Sequence, residues 1–89
     1  MYFLDNKTLG SRIRTARLIA NLSLQGLSEK TGISYSTLSR IENGKKKIQV
    51  EELIRISKFV NKPITYFVQD GNAGIEYFYP PKLRKEFEI

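Results

Sequence analysis

The sequence predicts an all-α fold of five short helices with a brief β-like extension at its C-terminal end. Three observations point to it. Between positions 9 and 67, apolar residues recur at intervals of three and four, the spacing that keeps them on one face of a helix. These runs close at residues suited to stop a helix, namely Asn21, Gly32, Gly44 and Asn61. Aromatic and β-branched residues cluster as a strand only at Ile75-Glu76-Tyr77-Phe78-Tyr79, beyond the turn-forming Asp70-Gly71-Asn72-Ala73-Gly74.

The first helix is capped by Asp5 or Asn6, and its buried stripe is Leu9, Ile13, Ala16 and Ala20, with Lys7, Arg12 and Arg14 off that stripe. Tyr2-Phe3-Leu4 ahead of it forms a short apolar arm that packs on the domain or on a partner chain. Ser23 caps the second helix, Leu27 and Thr31 face inward, and Ser28 is small enough for the third helix to cross closely. Gly26 weakens this helix by roughly 1 kcal/mol against alanine in a helix interior. Ser34 caps the third helix, in which Leu38 and Ile41 share one face and Tyr35, Ser36, Ser39 and Arg40 are left to point outward. Val50, Leu53, Ile54, Ser57 and Val60 form the inner face of the fourth, widened by Ile56; Glu51 and Glu52 in its first turn and Lys58 and Lys62 near its end suit the helix dipole. Pro63 starts a fifth helix over residues 64–69, with Ile64 and Phe67 closing the base of the core.

The second and third helices are hinged at Thr31-Gly32-Ile33-Ser34, a turn of three or four residues, and the third has an apolar back and a polar front. That is the helix-turn-helix signature. Residues 9–67 resemble the lambda/434 repressor and Cro type of helix-turn-helix domain. The resemblance is carried by Ile13 and Arg17, by Leu27 and Ser28, by Gly32-Ile33-Ser34, by Ile41-Glu42-Asn43-Gly44, and by Leu53 with Phe59-Val60-Asn61. This chain departs from the family at Leu24, where glutamine is usual, at Ser28 and Ser57, where alanine is usual, and at Ile48, often proline. The resemblance implies a lambda-repressor-like DNA-binding domain over residues 1–69, followed by the extension of residues 70–89. It also implies a structural salt bridge between Arg17 and Glu42.

Composition narrows the function classes. With 89 residues, the chain holds one modest core. It has no cysteine and no histidine, so a thiolate zinc site, a cysteine nucleophile and a histidine general base are ruled out. No catalytic residue, metal site or cofactor is indicated, and an enzyme is not expected. Of the net charge of +6, the helical part carries the surplus: 12 basic against 5 acidic residues through Lys62, then 3 against 4. A positive field of this kind attracts polyanions, nucleic acid first. Neither a transmembrane run nor a signal peptide is apparent, so a cytoplasmic location and no membrane partner are expected.

Five residues of the third helix are candidates for base contact: Tyr35, Ser36, Thr37, Ser39 and Arg40. Arg40 is the strongest, since a guanidinium in the major groove can bond guanine O6 and N7 together, discriminating by roughly 1–3 kcal/mol. Its place near a helix C-terminus would also suit a cation without any DNA role. Phosphate contacts are expected from Ser34, Asn43, Lys45, Lys46 and Lys47 and from the free amides near Ser23 and Leu24. These readings lead to a sequence-specific regulator of double-stranded DNA, in the first instance a repressor acting as a homodimer on a palindromic operator. Dimer or partner contacts are assigned to Tyr66, Phe67, Ile75, Tyr77, Phe78 and Tyr79, because six of the ten aromatics lie from Tyr66 onward. The alternative is an antitoxin-like or adaptor protein whose residues 70–89 bind a protein partner, with DNA binding for autoregulation. RNA is disfavoured because a helix-turn-helix offers no stacking platform for single strands.

Overall fold

The computed structural model describes residues 5–69; the N-terminal arm, the extension and the strand expected in it lie outside them. The described residues form five helices and no strand: α1 (Asn6–Ile19), α2 (Leu24–Thr31), α3 (Tyr35–Glu42), α4 (Val50–Val60) and α5 (Ile64–Val68). Each start has a local cause. Asp5 accepts from the Thr8 amide at 2.7 Å, a bond that holds its carboxyl below the ordinary value. Ser23 accepts from the Gly26 amide and Ser34 from the Thr37 amide. Ahead of α4, the Gln49 amide donates to Glu52. Gly26 therefore lies in the first turn of α2 rather than in its interior. The stops are equally local, with Gly32 and Asn61 in the left-handed region at the ends of α2 and α4.

The turn between α2 and α3 is held from both sides. Ser28 donates through its hydroxyl to the Ile33 carbonyl at 2.6 Å, and Thr31 donates to the Leu27 carbonyl while accepting from the Ile33 amide. Ile33, just ahead of the Ser34 cap, and Leu38 at the fourth helical position are both buried in one cluster, the arrangement of a hydrophobic staple. Ser28 thus does more than allow close crossing: it fixes the hinge.

The core is Ile13, Ala16, Leu27, Ile33, Leu38, Ile41, Leu53, Ile56, Val60 and Phe67. α1 packs against α3, α4 and α5, α2 against α3 and α4, and α4 against α5. Two expectations need correction. The inner stripe of α4 is Leu53, Ile56 and Val60; Val50 and Ile54 are exposed, at 76% and 43%. Apolar residues cover so much of this helix that periodicity alone admits two stripes, and only the positions of α1, α2 and α5 choose between them. Phe67 is fully buried, so its ring is core and not a partner contact. Tyr66 beside it is half-buried, edge-on to Phe67 with ring centroids 5.1 Å apart and the Lys62 ammonium 4.9 Å from its own centroid.

Three features tie α1 to the rest. Arg17 grips Glu42 at the end of α3 with two bonds, Nε to Oε2 at 2.8 Å and Nη2 to Oε1 at 3.1 Å, and donates a third to the Leu22 carbonyl. Both side chains are buried, with 10% and 5% exposed. Gly10 meets the end of α3 backbone to backbone: a Cβ there would collide with the Ile41 carbonyl oxygen and lie 2.7 Å from that of Glu42. Arg12, read from sequence only as lying off the buried stripe, is half-buried and donates to the carbonyls of Phe67 and Gln69 at 2.9 and 2.6 Å. These two acceptors lie at the end of α5, where a cation is favoured.

Two predictions concern stability. Arg17→Ala leaves a buried carboxylate unpaired and should cost about 3–5 kcal/mol. The double variant Arg17→Met with Glu42→Leu should recover most of that loss, and thermal unfolding of the set checks it; an unchanged melting temperature for Arg17→Ala would mean that the pair adds nothing. Gly10→Ala should destabilise by about 1–3 kcal/mol through overpacking. Were the contact slack, the better helix former would stabilise instead, by about 1 kcal/mol; the sign of the shift in denaturant midpoint decides.

Candidate nucleic-acid interface

The outward edge of α3 is formed by Ser36 and Arg40, four residues apart on one face and both exposed. Tyr35, one residue earlier, is 51% exposed, an unusual position for a large ring in the first turn of a surface helix. Arg40 makes no ion pair among the described residues. Thr37, expected with these residues, is half-buried and turned toward its own cap, where its hydroxyl oxygen accepts from that of Ser34 at 2.8 Å. Ser39 is half-buried on the flank.

The three-lysine run leaves α3 directly: the Lys45 amide donates to the Arg40 carbonyl at 2.8 Å, and Gly44 has φ +75°. Lys45 and Lys47 are exposed and Lys46 is half-buried. The hydroxyls of Ser23 and Ser34 are engaged as caps, so these residues offer an incoming anion mainly the amides of the first helical turn. At α2 the amides of Leu24 and Gln25, the first two helical positions, have no helical acceptor.

Tertiary packing adds what the sequence did not reveal. α1 brings Arg14 and Arg17 up to the start of α2 and the end of α3, leaving an open pocket of about 220 Å³ lined by Arg14, Arg17, Leu24, Ser39, Glu42 and Asn43. Leu24, Ser39 and Asn43 were separate candidates; here they share one concavity. Arg14, which carried no assignment, is on the same wall. Its signal was weak, since an arginine on the polar side of an amphipathic helix resembles any solvated cation until the neighbouring helices are placed. Tyr66 and Phe67 lie in α5, whereas Ile75, Tyr77, Phe78 and Tyr79 fall outside the described residues. No helix of the described residues is long and apolar enough to cross a membrane.

Comparison with known proteins agrees with this geometry. A helix-turn-helix family model matches residues 13–67. An HTH-type transcriptional regulator of Sinorhizobium medicae is 32% identical over 68 residues, which cover 74% of this chain and 49% of that protein. The chain thus spans about half the length of the curated relatives it matches. Among solved structures, the clp gene regulator ClgR from C. glutamicum superposes with a TM-score of 0.66 at 25% identity, over 71% of this chain and 82% of that one. The SinR/SinI protein complex contains a chain with a TM-score of 0.70 at 22% identity, over 90% of this chain and 75% of that one. The chain belongs to the helix-turn-helix family of the lambda repressor and Cro type, a family of DNA-binding regulators.

Proposed function

We propose that this chain is a sequence-specific regulator of transcription that lays α3 in the major groove of double-stranded DNA. The observation that carries this reading is the outward edge of α3: Arg40, with no ion pair among the described residues, one turn from Ser36 and beside an exposed Tyr35, on a helix whose back is locked into the core. A helix about 10–12 Å across fits the major groove, and eight residues, about 12 Å of helix, reach a few base pairs. Arg40 is the principal base reader, with Ser36 and Tyr35 beside it. Lys45, Lys46, Lys47, Asn43 and the first-turn amides of α2 and α3 hold phosphates and set the register.

So short a contact binds weakly alone. A homodimer on a palindromic operator presents two copies of α3 about 34 Å apart on one side of the duplex. Occupancy of such a site blocks other proteins, which makes repression the simplest mode of action. A second reading, a regulator governed by a protein that binds residues 70–89, is supported by the aromatic content of that extension. A precedent on the same fold is the structural neighbour in the SinR/SinI protein complex.

Site selection from a random duplex pool, followed by binding of wild type and Arg40→Ala, tests base reading. The variant should lose roughly 1–3 kcal/mol of preference at one base pair in each half-site while keeping most of its affinity for unrelated duplex. Equal loss on every sequence would make Arg40 a phosphate contact. Light scattering on the full chain should give twice the monomer mass; a dimer that becomes monomeric when the chain ends at Asp70 would assign assembly to the extension. A dimer retained without it leaves the extension free for a protein partner.

A further inference from the structure

Arg14 is exposed on α1 and makes neither an ion pair nor a hydrogen bond among the described residues. It forms a wall of the open pocket whose other sides are Leu24, Ser39 and Asn43. The Arg17–Glu42 pair also lines that pocket, but its two charges are spent on each other. Arg14 therefore gives the pocket its net positive charge. The Ser39 hydroxyl and the Asn43 side chain likewise have no partner among the described residues, so three residues with a free guanidinium, hydroxyl and amide line one space that no described residue fills.

The position of that space defines what can enter it. Ser39 and Asn43 are four residues apart, as are Ser36 and Arg40, and at 100° per residue the first strip is offset from the second by about 60° around α3. With the 36/40 strip toward the base edges, the 39/43 strip turns to the wall of the groove, where the sugar-phosphate backbone runs. A planar, five-donor guanidinium suits a phosphate group through two parallel bonds.

We infer that Arg14 is a DNA-binding residue that takes a backbone phosphate in this pocket, beside Ser39 and Asn43. The inference rests on the placement of α3 in the major groove. As a phosphate contact, Arg14 positions the protein and carries no base preference of its own.

The test compares wild type, Arg14→Ala and Arg14→Gln, the last keeping part of the stem, on a selected and a random-sequence duplex across a salt series. Arg14 is exposed, so all three should melt alike. Both variants should bind both duplexes more weakly by the same factor, and the slope of log affinity against log salt should fall by about 0.9. The advantage of wild type should accordingly shrink by about threefold between 50 and 200 mM salt. Identical affinity and slope in wild type and variants would overturn the inference while leaving the placement of α3 intact, provided that Arg40→Ala still loses base preference. Weakening confined to the selected duplex would overturn it too, by making Arg14 a base reader. If Arg14→Ala abolished a response to inorganic phosphate but left duplex binding untouched, the pocket would be a free-anion site and the DNA assignment would fall. A wild type that bound no duplex would remove both the inference and the reading beneath it.

Discussion

The two-bond ion pair between Arg17 and Glu42 is the constraint on which the rest of the structure depends. It joins the last turn of α1 to the last residue of α3, and a further Arg17 bond, to the Leu22 carbonyl, orders the connection into α2. A buried pair of this kind adds little net stability over a well-packed apolar substitute, but it is costly to half-remove. Its value here is placement. Gly10 works in the same place, letting the backbones of α1 and α3 approach to a distance that any Cβ would forbid. With its back fixed this way, α3 can present a polar edge without losing its angle to the core.

The hinge shows the same logic at smaller scale. Gly32 ends α2, Ile33 buries, and Ser34 caps α3, while Ser28 and Thr31 supply the bonds that keep those three residues in one conformation. For the proposed base contact of Arg40, rigidity of the turn matters, because a bidentate contact is lost by small errors of position. At the far end, Arg12 closes α5 through the carbonyls of Phe67 and Gln69 with charge-assisted bonds, each worth about 1.5–3 kcal/mol.

Much of this was legible in the chain because its signals are local. Caps, the left-handed stop at Gly32 and the apolar back of α3 depend on residues three or four apart, and Asp5, Ser23, Ser34 and Asn61 act as their residue types predict. What could not be read depends on other helices. The stripe of α4 was ambiguous because Val50, Ile54 and Ile56 are all apolar, and only the neighbours show which of them is covered. Nothing in the sequence sets Gly10 apart, because the carbonyls it faces lie more than thirty residues away. Phe67 was assigned at once to the core and to a partner surface, and complete burial decides for the core. Arg12 and Arg14, nearly adjacent in sequence, part company in the fold: one turns to α5, the other to the pocket beside α3.

In the proposed complex α3 faces DNA, and the start of α2 and residues 43–47 flank it. Amide chemical-shift mapping during titration with duplex DNA tests this placement most directly. The largest shifts should fall at Ser36, Arg40 and residues 43–47, with a second group at Leu24 and Gln25, and little change along α5. Shifts confined to α4 and α5, with α3 unmoved, would contradict it.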